Sequence, residues 1–261
     1  MTELLERIGK TSMEATATFR DILSFAFTVL ARMFQKKTYN SAMKMVLVNQ
    51  IYFTSVQILP LFVAISIIFG SLLIGIVFQI IKNMGLAEYL GRILMGLVVT
   101  ELSPFVTVLL IALRSSSAIN AEIAVMKVNQ EFRTLDTFNI DVIDYLFIPR
   151  IINGVISVVL LSALFSILTL TSGMLFSKVI FGMSIDVYTN VLLNSADFYD
   201  IVISLIKCCT LGVFITLIPI RSGLHASDDL TSIPIAVLHG MVGVFIAIVL
   251  IEVLSLILIS I

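Results

Sequence analysis

The chain has 261 residues, of which 59% are apolar and 13% are charged, and its mean hydropathy is +1.12. Soluble domains average about 45 to 50% apolar and about 25% charged residues, so this composition excludes an ordinary soluble enzyme and indicates a membrane protein. The net charge of −1 offers no basic excess for binding nucleic acid.

The stretch before the first long apolar run predicts an amphipathic helix that lies in the membrane interface. Its apolar residues recur at helical spacing, and basic residues flank them. A sixth, weakly hydrophobic span is the alternative, and it would place the C-terminus in the cytoplasm. The beginning of the chain lacks the short apolar core of a cleavable signal, so we expect it to be retained. The apolar positions of the predicted helix are Phe19, Ile22, Leu23, Ala26, Phe27, Leu30, Met33 and Phe34.

Five segments are long and apolar enough to cross a bilayer, whose hydrocarbon core of about 30 Å needs about 20 helical residues. The first apolar run contains Pro60, which predicts a broken or membrane-entering helix up to about Leu59 and a true span after it. The predicted spans are 61–81, 93–113, 151–177, 201–220 and 233–261.

The distribution of Lys and Arg predicts how these spans are oriented. Residues 1–45 hold seven, the connection over 114–150 holds four and Arg221 adds one, whereas the connections on the other side hold three. The positive-inside rule predicts that the N-terminus and the 114–150 connection are cytoplasmic and that the C-terminus is outside. We therefore expect an N-terminal interfacial region over residues 1–45 and a transmembrane region over residues 46–261.

Glu101 is the strongest single candidate for a functional residue in the sequence. It lies near the middle of the second predicted span, where an ionised carboxylate costs about 2.5 to 3.5 kcal/mol and normally faces a cavity, a partner or the bundle interior. Pro104 is expected to free backbone carbonyl groups near it. Glu101 either lines a transport path or is a neutral, hydrogen-bonded packing residue. For Lys207 the favoured interpretation is snorkelling to the surface, whereas for Glu252 a packing role and a functional role are equally open.

The connection between the second and third spans predicts a pair of cytoplasmic amphipathic helices. Serines that can cap a helix precede Ile119, Ile123 and Met126, which are spaced i, i+4, i+7. Rigid helices of this kind suit a permease that docks onto a soluble motor, and a solvated loop resting on the membrane is the alternative. A second apolar stripe follows at Phe132, Leu135 and Phe138.

Motifs for catalysis and nucleotide binding are missing from the sequence. There is no GxxxxGK[ST] loop, so ATP would have to be bound by a partner. His225 and His239 have no carboxylate at ligand spacing, and the adjacent Cys208 and Cys209 fit neither a long-loop disulfide nor a CxxC metal site. We therefore expect a non-catalytic subunit with neither a cofactor nor a metal of its own.

Residues 101–104 read ELSP, and residues 113–118 read LRSSSA. They resemble the ELGP and GRAGSA segments of the MlaE family of ABC transporter permeases, and the specific part of the resemblance covers residues 101–150. Residues 121–131 resemble AEIGxMxVTEQ, Pro149 and Arg150 match the PR before the third span, and residues 205–207 resemble LIK. The resemblance covers roughly residues 45–255. Expected glycines are replaced by Ser103, Leu113, Ser116 and Ala124.

The resemblance implies a homodimeric permease in the inner membrane of a double-membraned bacterium. Its partners would be a cytoplasmic ATPase dimer that binds ATP and Mg, often a small STAS-domain protein, and a periplasmic hexamer of MCE-domain proteins. The complex would move phospholipids or related lipids between the inner membrane and the MCE protein, for outer-membrane lipid asymmetry.

The resemblance also implies roles for individual residues. A coupling helix over residues 122–135 would dock the ATPase through Glu122, Met126, Lys127, Glu131, Phe132, Arg133 and Leu135. The lipid cavity at the dimer centre would be lined by Glu101, Leu102, Ile74 and Phe78. Some relatives have an arginine before the glutamate, where this chain has Thr100, so a lipid phosphate would lack that partner. The alternatives are an ion- or proton-coupled transporter or channel centred on Glu101, and a purely structural membrane scaffold.

Overall fold

The computed structural model describes residues 24, 27–29, 31–33, 35, 39, 41–85 and 89–260, and the regular structure in these residues is entirely helical. Five helical runs among them are long and apolar enough to cross a membrane, which confirms the prediction of an all-α membrane protein with five spans. These runs are Met43–Ile81, Leu90–Val128, Ile143–Phe181, Phe198–Leu224 and Ser232–Leu258.

From residue 41 onward, the described residues form ten α-helices and four short π-helical segments. The π-helical segments are Tyr52–Val56, Met95–Leu102, Ala112–Ser116 and Ile143–Phe147. The α-helices are α1 (Ser41–Ile51), α2 (Leu59–Asn83), α3 (Leu90–Leu94), α4 (Ser103–Ile111), α5 (Ser117–Val128), α6 (Glu131–Thr137), α7 (Ile148–Phe181), α8 (Ile185–Ser195), α9 (Phe198–Leu224) and α10 (Ser232–Ser260).

The helical hydrogen-bond pattern of the first run changes close to where the sequence predicts a break. A two-residue turn at 57–58 separates the first π-helical segment from α2, directly before Pro60. Proline has no N–H to donate to the carbonyl of Val56, four residues earlier, so the hydrogen-bond ladder is weakened at this point. The segment before the turn is nevertheless helical from Ser41 and continues into the first span.

The second run continues without a break through the serines that were expected to cap a new helix. Ser116 has helical backbone angles and makes no capping hydrogen bond; its hydroxyl donates instead to the carbonyl of Ile215 at 2.6 Å. The predicted serine cap is therefore wrong, because the span and the following helix are one element. The chain leaves the helix at Gln130, whose φ of 58° is left-handed, and α6 follows.

Local signals set the ends of the third and fourth spans. α7 ends at Gly182, whose φ of 65° is the left-handed conformation that glycine adopts readily after a helix. α9 begins after Asp197, whose carboxylate accepts a hydrogen bond from the backbone N–H of Tyr199 at 3.1 Å.

α7 packs closely against α9 in the middle of the bundle. A Cβ added at Gly154 would lie 2.9 Å from the carbonyl oxygen of Gly212, and one added at Gly212 would lie 2.6 Å from Cα of Val155. Small residues of this kind allow membrane helices to approach backbone to backbone. The α9 residues near this contact are therefore held firmly against the bundle.

Part of the described N-terminal region packs against the bundle. Val29 is fully buried in an apolar cluster with Met43, Ile123 and Phe147, whereas Phe27 is 76% exposed. Other positions of the predicted interfacial helix lie outside the described residues, so its place in the membrane interface stays a prediction. Those positions are Phe19, Ile22, Leu23, Ala26, Leu30 and Phe34.

Candidate functional site

Three spans bring ionisable side chains together inside the helix bundle. Nζ of Lys207 in α9 lies 2.7 Å from Oε2 of Glu101 in the second span and 2.5 Å from Oε2 of Glu252 in α10. The exposed fractions of these side chains are 2% for the lysine, 22% for Glu101 and 13% for Glu252. We refer to these three residues as the charged cluster. Because it is buried, pairing of the opposite charges is a condition for its stability.

The backbone around Pro104 helps to position the cluster. Proline cannot donate a hydrogen bond to the carbonyl of Thr100, four residues earlier, and this carbonyl accepts one from Nζ of Lys207 at 3.2 Å. One turn earlier in α9, the hydroxyl of Ser204 donates to the carbonyl of Val99 at 2.9 Å. The predicted availability of carbonyl groups near Pro104 is confirmed, and α9 is attached to the π-helical segment by two such bonds.

The burial of Lys207 differs from the expectation from sequence. Snorkelling to the surface is wrong, because two carboxylates and a backbone carbonyl on neighbouring helices bind the ammonium within the bundle. The sequence does hold a signal for this grouping. Counted from the same predicted membrane face, Glu101, Lys207 and Glu252 are the ninth, seventh and tenth residues of their predicted spans. The three residues are therefore predicted to lie at similar depths in the membrane, although they are far apart in sequence.

The cluster retains unused hydrogen-bond acceptors. Oε1 of Glu101 and Oε1 of Glu252 are buried and have no hydrogen-bond partner. Two carboxylates share one ammonium, so the cluster carries an excess negative charge when all three groups are ionised. Such an arrangement can accept a proton, or hydrogen bonds from a ligand that carries an ammonium or hydroxyl group.

An apolar groove of about 410 Å³ lies beside the cluster, between α9 and α10. Lys207 lines it, and most of the remaining lining residues are aliphatic, including Ile206, Ile251, Leu254 and Leu258. Ligand sites are typically concave and mostly apolar, with a few polar groups that fix orientation. The groove and the charged cluster together fit an amphiphilic ligand.

Two of the predicted cavity residues lie in a different part of the bundle. Ile74 is fully buried, and a Cβ added at Gly173 of α7 would collide with it. Phe78 stacks on Phe181 with ring centroids 4.4 Å apart. Both belong to an apolar cluster that includes Leu94, so Ile74 faces no open cavity in this conformation. Leu102 is partly exposed, next to Glu101.

The coupling segment that the resemblance implies over residues 122–135 lies on two helices, in agreement with the helix pair predicted from the pattern of the connection. α5 carries Glu122, Met126 and Lys127, and α6 carries Glu131, Phe132, Arg133 and Leu135. Oε1 of Glu122 lies 2.6 Å from Nη2 of Arg150, so this residue makes an ion pair within the chain. The charged residues of α6, Glu131, Arg133 and Asp136, are exposed, so this surface is accessible to a partner.

The five spans among the described residues, with a polar site between them, define a multi-pass α-helical membrane protein. The chain belongs to the MlaE permease family: the family model described as Permease MlaE matches residues 47–258. The resemblance recognised in residues 101–150 is thus confirmed over most of the chain.

The chain is also similar in sequence to individual curated proteins. The intermembrane phospholipid transport system permease protein MlaE of Haemophilus influenzae is 31% identical over 179 residues, which cover 68% of each chain. The chloroplastic protein TRIGALACTOSYLDIACYLGLYCEROL 1 of Arabidopsis thaliana is 29% identical over 68% of this chain and 53% of its own length. The probable ABC transporter permease protein slr1045 of Synechocystis is 27% identical over 62% of this chain and 64% of its own. The matches thus span between about half and two thirds of these relatives.

Proposed function

We propose that the chain is the permease subunit of an ABC transporter that moves phospholipids, or related lipids, between the inner membrane and a periplasmic MCE protein. Its role would be in outer-membrane lipid asymmetry. Membership of the MlaE family and the name of the Haemophilus relative, which states intermembrane phospholipid transport, support the proposal. The observation that carries it is the charged cluster next to an apolar groove.

The site would recognise a lipid mainly through its head group. An acyl chain in the groove exchanges one apolar environment for another, because lipid tails in the bilayer are as apolar as Leu254 and Ile251. Selectivity must therefore come from polar contacts. The unpartnered Oε1 atoms of Glu101 and Glu252 are acceptors, so they favour head groups that donate hydrogen bonds.

The energy for transport would come from partners. The sequence has no phosphate-binding loop, so a cytoplasmic ABC ATPase dimer would bind ATP and Mg and dock on α5 and α6. Two copies of this chain would form a homodimer, with an MCE-domain hexamer on the periplasmic side and, in some complexes, a STAS-domain protein. The N-terminus would be cytoplasmic and the C-terminus periplasmic, in the inner membrane of a bacterium.

Reconstitution of the complex tests this function. The chain is placed in proteoliposomes with the ATPase and MCE protein that copurify with it, and ATP-dependent transfer of a fluorescent phospholipid is measured. We expect Glu101→Gln and Glu252→Gln to slow transfer at least tenfold while the complex still assembles. Asp186→Asn in α8, an exposed acid, is the matched control. Wild-type transfer by both cluster variants would refute a role for the cluster.

A second candidate function follows from the excess negative charge of the cluster. Two carboxylates around one ammonium can hold a proton or a cation, as an ion-coupled transporter centred on Glu101 requires. The chain alone, reconstituted without the ATPase, would then respond to a pH or ion gradient. A response that Glu101→Gln abolishes would favour this alternative, whereas transport that depends strictly on ATP excludes it.

A further inference from the structure

A polar cavity lies where α1, the second span and the start of α7 meet. Its volume is about 550 Å³, and two arginines, Arg114 and Arg150, line it together with one acid, Glu122. No member of the charged cluster is among its lining residues. By the predicted orientation of the spans, it lies toward the cytoplasmic face of the membrane.

Arg150 is buried in the wall of this cavity, and two of its side-chain nitrogens have no hydrogen-bond partner. Its side chain is 2% exposed, and its Nη2 is paired with Oε1 of Glu122 at 2.6 Å. Its Nε and Nη1 atoms are also buried, and neither has a hydrogen-bond partner. A buried guanidinium in which some N–H groups lack an acceptor is rare in native proteins and requires an explanation. An acceptor bound in the cavity would supply these partners.

Arg114 adds a second guanidinium to the same cavity. One of its terminal nitrogens donates to Oε1 of Gln57 at 2.6 Å, which orients the side chain. Two guanidinium groups face one carboxylate here, so the lining carries a net positive charge. Guanidinium groups match the geometry of phosphate oxygens, to which they can donate two parallel hydrogen bonds.

The rim of the cavity is apolar and exposed. Phe53 lines the cavity and is 59% exposed, and its neighbours Tyr52 and Val56 are 54% and 44% exposed. In a bilayer, such side chains contact acyl chains. A basic cavity with an apolar rim therefore fits an amphiphile that carries an anionic head group.

We propose that this cavity binds the phosphate group of an anionic membrane lipid, with Arg150 and Arg114 donating to its oxygens and the acyl chains lying along Phe53. The proposal rests on the proposed function only for the class of ligand, a lipid. It assigns a lipid site separate from the charged cluster, on the side of the membrane predicted to be cytoplasmic.

Binding to the purified full-length chain in detergent tests the proposal without requiring transport. The probe is dioctanoyl phosphatidylglycerol, and the number of bound lipids and their affinity are read by native mass spectrometry. We expect Arg114→Gln to weaken binding about tenfold or more, because hydrogen bonds to charged groups are stronger than neutral ones. Arg114 is exposed, so this variant should fold. Arg92→Gln in α3, also an exposed arginine, is the matched control and should bind like the wild type.

Further measurements separate the possible ligands. Arg150→Lys keeps the charge but loses the forked donors, so it should also bind more weakly; if it fails to fold, Arg114→Gln decides. Wild-type affinity in Arg114→Gln would overturn the proposal. So would equal binding of dioctanoyl phosphatidylcholine, or displacement of the probe by an equal concentration of inorganic phosphate. Glu101→Gln should keep this binding even where it lowers transport, so a failure here is distinguishable from a failure of the proposed function.

Discussion

Removing the ammonium group from the charged cluster is the most direct test of its energetics. Lys207→Met keeps a long side chain but leaves Glu101 and Glu252, both bound to Nζ within 2.7 Å, without a cation. Removing one partner of a buried ion pair costs about 3 to 5 kcal/mol, because the remaining charge is not compensated. Water cannot easily take the place of the ammonium, because the lysine side chain is 2% exposed.

The assay is thermal unfolding of the purified chain in detergent. At about 2 °C per kcal/mol for a chain of this size, the expected loss lowers the midpoint by roughly 6 to 10 °C. The neutral triple variant, Lys207→Met with Glu101→Gln and Glu252→Gln, should recover most of the loss, because neutral replacements of buried ion pairs are often tolerated. Lys178→Met, an exposed lysine near the end of α7, is the control and should change stability by no more than about 0.5 kcal/mol.

Two results would refute this reasoning. The first is a midpoint for Lys207→Met equal to that of the wild type. The second is a triple variant that unfolds at a lower temperature than Lys207→Met alone, because removing the two acids should relieve the uncompensated charge. Either result would mean that the three side chains are not held as a buried set of paired charges.

Three further predictions concern other parts of the chain. Gly173→Ala adds a Cβ that would lie 2.1 Å from Cδ1 of Ile74, so overpacking should cost about 1 to 3 kcal/mol, and an unchanged thermal midpoint would contradict this close approach. Glu131→Lys on α6 should weaken copurification of the ATPase without lowering the midpoint, and undiminished copurification would count against docking there. Partial burial raises the pKa of Asp141, but the hydrogen bond from Arg32, the hydrogen bonds from the backbone N–H groups of Ile143 and Asp144 and the positive charge of Arg32 together outweigh it, so the net pKa lies below the ordinary 3.8. The interaction therefore stabilises the folded state at neutral pH, and the advantage of the wild type over Asp141→Asn should disappear as the pH falls below 3.8; a constant difference would exclude this linkage.

The sequence predicts the spans well because the bilayer imposes a local requirement. About 20 apolar residues must follow one another, and each of the five runs meets this condition without reference to any other part of the chain. Glu101 could be singled out in the same way, since an acid in the middle of a span is costly wherever its partner lies. Pro104 acts on its own helix, so its effect on the carbonyl of Thr100 was also predictable.

The partners of Glu101 could not be deduced from local pattern. Lys207 and Glu252 reach it only because α9 and α10 pack against the second span, and that packing depends on contacts between distant parts of the chain, such as Gly154 with Gly212. The prediction of a serine cap was wrong for a related reason. A serine within a helix can bond to a carbonyl instead of capping an end, and Ser116 finds its acceptor on α9.

The continuity of the second run has a mechanical consequence. Glu101 and Glu122 lie on one helical rod, 21 residues apart, which corresponds to roughly 30 Å at about 1.5 Å per residue. A tilt of about 10° around the Glu122 end would move the other end by roughly 5 Å, estimated from that helical rise. Such a displacement is larger than the longest contact within the charged cluster. In the proposed transporter the rod would therefore act as a lever: a small rotation where the ATPase is proposed to dock would open or close the ion pairs in the middle of the membrane.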